Sequence, residues 1–120
     1  MTQTSLRPTE LRVSKDRMTL SVAFGDGTLL RLPAEMLRVL SPSAEVQGHG
    51  AGQRKLVHGK RKVAIAQVVP TGNYAVRIVF DDGHDTGIYS WPFLRELGAE
   101  LEGWPTRYEA ELAEKGLSRG

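Results

Sequence analysis

At 120 residues the chain is one domain, long enough to bury a hydrophobic core without staples. It contains no cysteine, which excludes disulfides, thiolate metal sites and thiol nucleophiles and suits a reducing cytoplasm. The formal charge of +2 permits contact with nucleic acid without arguing for it, and neither a signal-peptide core nor a membrane-length apolar run is found, so a cytoplasmic location off the membrane is expected.

Residues 1–8 read as a flexible tail. Glu10 to Val13 makes a short strand, turned back at Lys15-Asp16-Arg17. Met18, Leu20, Val22 and Phe24 then alternate with polar or small residues, the period of a strand with one buried face. Gly25-Asp26-Gly27 supplies hairpin chemistry, because glycine reaches positive φ at little cost, and Thr28 to Leu32 is the returning strand. Pro33 suits a first helical turn; Met36, Leu37 and Leu40 share an apolar face, and Pro42 ends the helix. Residues 46–62 hold four glycines and five Lys or Arg with no acid, and are expected to form a mobile loop.

Two β-prone runs follow, 63–70 and 74–80, joined through Thr71-Gly72-Asn73. Asp82-Gly83 marks the next turn, and Asp85 to Tyr89 the next strand. Ser90 is placed as an N-cap, Pro92 in the first helical turn, Phe93, Leu94 and Leu97 on the buried face and Gly98 as the C-cap. A last helix, from about Pro105 to Lys115, is expected to dock through Trp104, Tyr108 and Leu112.

The chain repeats itself. Both "FGDGTLLRLPAEMLRVL" and "FDDGHDTGIYSWPFLREL" run from Phe through Asp-Gly and a short strand into a helix ending Leu-Arg-x-Leu, with one residue inserted in the second. Phe24 matches Phe80, Asp26 matches Asp82, Gly27 matches Gly83, Leu37 matches Leu94, Arg38 matches Arg95 and Leu40 matches Leu97. The expected fold is α+β: a small β-rich domain of two hairpin–helix units with short helices and a C-terminal helix.

The stretch densest in reactive side chains is Asp81-Asp82-Gly83-His84-Asp85. Carboxylates and an imidazole there suit a hard or borderline cation. The first unit, however, makes its Asp-Gly turn with no histidine, so the structural turn is the favoured reading. The loop residues Arg54, Lys55, Lys60, Arg61 and Lys62 could neutralise phosphates, but they lack interleaved aromatics for base stacking, which disfavours nucleic acid. A phosphate loop ending at Gly59-Lys60 fails, since it needs Gly at 54 and Ser or Thr at 61 and finds Arg54 and Arg61. No nucleophile elbow is found, nor any His-x-Asp pair that would start an iron-binding triad.

The segments "LPAEMLRVLSPSAEV" and "GNYAVRIVFDDGHDTGIYSWPFLREL" resemble the gamma-butyrobetaine hydroxylase-like N-terminal domain family, over residues 8 to 98. The resemblance implies a small β-rich domain, found alone in bacteria with unknown function, ahead of carnitine-pathway dioxygenase domains, or appended to P-loop ATPases of the iron–sulfur carrier type. In the dioxygenases it implies a structural zinc held by a Cys-Pro-Cys-x-x-Cys run and one histidine. Those positions fall here on Ser41, Pro42, Ser43 and Val46, and on His84. One imidazole with two hydroxyls cannot close a tetrahedral zinc site, so no metal is expected. His84 is expected instead to hydrogen-bond the Ser41–Ser43 segment.

The chain therefore divides into a tail at 1–8, the family domain at 9–98 and a helical extension at 99–120. The expected function is a non-enzymatic protein-interaction or adaptor module without a cofactor, associated with iron–sulfur or metabolic proteins through the resemblance. Its candidate interaction residues are Arg54, Lys55, Lys60, Arg61, Lys62, Asp82, His84 and Trp91. The rival is a metal-binding domain centred on His84 with Asp81, Asp82 or Asp85, and a weaker one is nucleic-acid binding through 54–62.

Overall fold

In a computed structural model, which describes residues 7–43, 46 and 56–120, the alternating apolar runs become two three-stranded antiparallel sheets. The first holds β1 (Pro8–Val13), β2 (Thr19–Phe24) and β3 (Leu29–Pro33), and leads into α1 (Ala34–Val39). The second holds β4 (Ile65–Thr71), β5 (Ala75–Phe80) and β6 (Gly87–Ser90), and leads into α2 (Trp91–Ala99). A third helix, α3 (Trp104–Glu114), follows. The domain is thus α+β, built of two hairpin–helix units and a C-terminal helix.

Period two decides which face of each strand is buried. Leu20, Val22, Phe24 and Leu32 of the first sheet join Ile65, Val76, Ile78, Phe80 and Tyr89 of the second in one core, with Met36, Leu37, Leu94 and Leu97 from the helices. Trp104, Tyr108 and Leu112 enter the same core, so α3 is part of the packed unit rather than an appendage. Among the described residues, no helix is long and apolar enough to cross a membrane.

The repeat runs deeper than the sequence match. Each unit's first strand is bulged at the same place: the pairing shifts between Pro8, opposite Phe24, and Glu10, and between Ile65, opposite Phe80, and Gln67. The two Asp-Gly turns have the same bonds. The Phe24 amide donates to the Thr28 carbonyl and the Gly27 amide returns to Phe24; the Phe80 amide donates to His84 and the Gly83 amide to Phe80. Gly27 and Gly83 both sit at φ 93°, where a side chain would strain the backbone. Each aspartate accepts from the amide two residues on, Thr28 or His84, at 3.0 Å.

The two units clasp each other reciprocally. Asp26 of the first turn bonds Arg95 on α2 at 2.9 Å, and Asp82 of the second bonds Arg38 on α1 at 2.8 Å. In the first clasp the Arg95 guanidinium also lies 4.1 Å from the centre of the Phe24 ring. α2 packs on both β6 and β3, across the unit boundary.

Several local expectations shift. Pro33 is the last residue of β3 and caps α1 with extended backbone rather than lying within the helix. Helix α1 is buried on nearly all sides, including Glu35, while Leu40 is only partly covered. Arg119 donates to both Glu35 oxygens, with a shortest contact of 2.6 Å. The β4–β5 turn is Gly72 to Tyr74, since Thr71 still pairs with Ala75. β6 starts at Gly87, because residues 84–86 are taken up in leaving the turn. Phe93 is half-buried beside the fully buried Leu94. Gly98 does not end α2; Glu100 is the C-cap. Gly98 instead permits close approach, for a Cβ there would lie 2.6 Å from Leu30 Cδ2. Pro8 lies in β1 rather than the tail, and residues 1–6 and 47–55, with the mobility expected of the loop, lie outside the described residues.

Candidate functional site

The second Asp-Gly turn delivers His84 inward. With its amide tied to Asp82 and its carbonyl to Phe80, the imidazole swings under the turn and is 6% exposed. Its Nε2 lies 2.9 Å from Ser41 Oγ and 3.4 Å from Ser43 Oγ, across more than forty residues of sequence. Ser41 is wholly buried and Ser43 nearly so. Ser41 Oγ also accepts from the Ser43 amide at 3.3 Å. The Phe80 ring centre is 6.1 Å from the imidazole.

The network continues through Tyr89, whose hydroxyl donates to the Leu37 carbonyl at the end of α1 and is hydrogen-bonded by Ser41. Burial pushes the Tyr89 phenol well above its ordinary range, so it stays a donor at every working pH. Gly87 makes room for this arrangement, as a Cβ there would lie 2.6 Å from Ser41 Oγ and 2.9 Å from the Tyr89 ring. The sequence reading assigned no role to Tyr89 or Gly87, although both stand in the Gly-Ile-Tyr motif.

Three of the four positions that correspond to the family's zinc ligands therefore converge: Ser41, Ser43 and His84 share hydrogen bonds. Val46, the fourth, is buried. Their chemistry does not fit zinc, which takes four nitrogen, sulfur or carboxylate ligands. Here one imidazole faces two hydroxyls, and the fourth position is an aliphatic side chain.

The neighbouring carboxylates point to separate partners. Asp82 accepts from Arg38 and, at 2.6 Å, from Lys60. Asp81 Oδ1 accepts from the Ala64 amide at 3.0 Å, locking the turn to the approach of β4. The Asp85 carbonyl accepts from Arg77 at 3.1 Å. Among the described residues, no group of three His, Asp or Glu side chains is placed to hold a metal ion. Burial works against ionising Asp82, but Lys60, the His84 amide and Arg38 outweigh it and bring its pKa down to about 2.

The described cations of the basic loop go to separate places. Lys60 is committed to Asp82, and Arg61 Nε donates to the Gly120 carbonyl at 3.3 Å. Lys62 and His58 are exposed, and Arg54 and Lys55 lie outside the described residues. Trp91 is half-buried, its indole donating to the Asn73 carbonyl at 2.8 Å.

The family model described as gamma-butyrobetaine hydroxylase-like, N-terminal, matches residues 11–95. Among solved structures, the chain is similar to a DUF971-family protein of unknown function from Acidithiobacillus ferrooxidans, with 39% identity over 82% of this chain and 99% of that one and a TM-score of 0.68. It is also similar to two solution NMR structures. One is 44% identical over 94% of this chain and 89% of the other, with a TM-score of 0.80. The second is 43% identical over 94% and 84%, with a TM-score of 0.81. No curated protein matches the chain.

Proposed function

This chain belongs to the gamma-butyrobetaine hydroxylase-like N-terminal domain family, and from that premise we propose that it acts as a non-enzymatic protein-interaction module. The observation that carries this reading is the internal commitment of its most reactive residues. His84 is turned onto buried serines, Asp82 onto Arg38 and Lys60, and Asp81 onto a backbone amide. A catalytic constellation needs groups aimed at a site where a substrate can sit, and these are aimed at the fold itself.

The outer faces of the sheets are what the domain offers to others, and Leu29, Tyr74 and Ile88 stand about half exposed or more on the surface. The cytoplasm is the proposed location, in keeping with the absence of cysteine. The iron–sulfur and metabolic proteins that the family resemblance brings in are the first partners to test.

The test is affinity purification of the tagged chain from its own cells, followed by co-elution of the purified pair. A stoichiometric complex is expected. A chain that elutes alone from gentle lysates at low and moderate salt overturns the reading, and stoichiometric zinc surviving dialysis moves it to a metal-binding domain.

A further inference from the structure

The outer face of the first sheet is polar in a particular pattern. Small residues, Ser21 and Ala23, occupy the exposed side of the central strand β2. Arg12 on β1 and Arg31 on β3 stand directly opposite Ser21 on either side, and Glu10 and Leu29 stand opposite Ala23. Long side chains on the outer strands and short ones between them leave a groove of about 280 Å³, floored by Ser21 and Ala23. The two arginine backbones are about 10 Å apart, twice the strand spacing, so both guanidinium groups can reach one carboxylate held above Ser21.

We infer that this groove docks an acidic, extended segment of a partner protein, with Arg12 and Arg31 clamping its carboxylates and the half-exposed Leu29 covering an apolar neighbour. The inference rests on the interaction-module reading and names the chemistry of the partner. Three observations support it. Among the described residues, the Arg31 side chain has no ion-pair or hydrogen-bond partner. Arg12 already holds a carboxylate at this rim, that of Glu10 at 2.5 Å, in a pair so exposed that a ligand can displace it at little cost.

The repeat supplies the third, an internal comparison. The equivalent row of the second sheet is Val69, Arg77 and Ile88, one central cation between two apolar residues, and that cation is bonded to Asp85. The same fold position therefore carries a paired cationic clamp on one face and not on the other. Charge complementarity selects an acidic occupant for the first.

The probe is a short fluorescein-labelled peptide alternating glutamate and valine, with the lysine–valine peptide as control, titrated onto the whole chain and mapped by amide NMR. The glutamate peptide should bind saturably, weaken as salt is raised, and shift the amides of Arg12, Ser21, Ala23, Leu29 and Arg31. Arg31→Glu or Arg12→Glu should weaken it about tenfold or more, through a lost charge-assisted contact and an added repulsion. Glu10→Gln should tighten it about two- to fivefold by freeing Arg12, and Arg77→Glu should leave it unchanged.

The inference is overturned by absence of saturable binding, by equal binding of the lysine peptide, by indifference to Arg31→Glu, or by shifts confined to other residues. Tighter binding of an RNA oligonucleotide at the same residues also overturns it, in favour of a nucleic-acid surface. The two readings separate in cells. A partner captured equally by wild type and Arg31→Glu sinks the groove and leaves the module, whereas peptide binding by a chain that captures nothing keeps the groove and sinks the module.

Discussion

Replacing Asp82 with Asn removes one half of the reciprocal clasp while keeping the side-chain oxygen that caps the turn. The carboxylate is 20% exposed and bonds Arg38 at 2.8 Å and Lys60 at 2.6 Å. Its pKa falls from 3.8 to about 2, against the opposing effect of burial. Taken at face value that is about 2–3 kcal/mol, and solvent screening at a partly exposed site reduces it to about 1 kcal/mol. Arg38 is itself only 13% exposed, so the substitution also strands a guanidinium, bringing the expected loss to about 1–2 kcal/mol at neutral pH, or about 4–8 °C in Tm. The sign of the pH dependence follows from a depressed folded-state pKa. The stabilisation is complete above about pH 4 and is lost as pH falls toward 2. Urea unfolding followed by tryptophan fluorescence between pH 7 and pH 2 reads both effects. Wild type should lose more stability than Asp82→Asn across the acid range, so that the two curves converge. Asp26→Asn, which breaks the exposed counterpart, should cost less. Parallel curves for wild type and Asp82→Asn, or an equal cost for Asp26→Asn at pH 7, would refute the assignment of the clasp to Asp82.

Phe80→Ala should cost about 3–5 kcal/mol, since the ring is fully buried beneath the second turn; a thermal melt like that of wild type would contradict its place in the core. His84→Ala should cost about 1–2 kcal/mol by leaving the buried Ser41 and Ser43 hydroxyls short of a partner, and chelators should leave the wild-type melting temperature unchanged, both readable by calorimetry. Gly87→Ala should cost about 2–3 kcal/mol, because the new methyl meets Ser41 and Tyr89, both held by hydrogen bonds; a stabilised Gly87→Ala protein in chemical denaturation would mean that the network yields easily.

Features whose cause lies within a few residues were legible in the sequence. The two Asp-Gly turns were legible because only glycine takes φ near 93° without strain and aspartate bonds the amide two residues on. The inward face of β2 followed from alternation, and the start of α2 from Ser90, whose hydroxyl accepts from the Phe93 amide at 3.2 Å. The nearness of His84 to Ser41 came from the family resemblance, since no local rule relates positions 43 residues apart. The rest depends on contacts between distant parts of the chain. The repeat matched Asp26 with Asp82 and Arg38 with Arg95, but only packing shows that each aspartate crosses to the other unit's arginine. The shared bulge in β1 and β4 was invisible because the strands "PTELRV" and "IAQVVPT" have little in common; a bulge is set by the partner strand it must fit. Gly98 looked like a helix terminator because glycine at a C-cap and glycine at a close contact leave the same letter. Leu30, sixty-eight positions away in sequence and pressed against that site, determines which of the two it is.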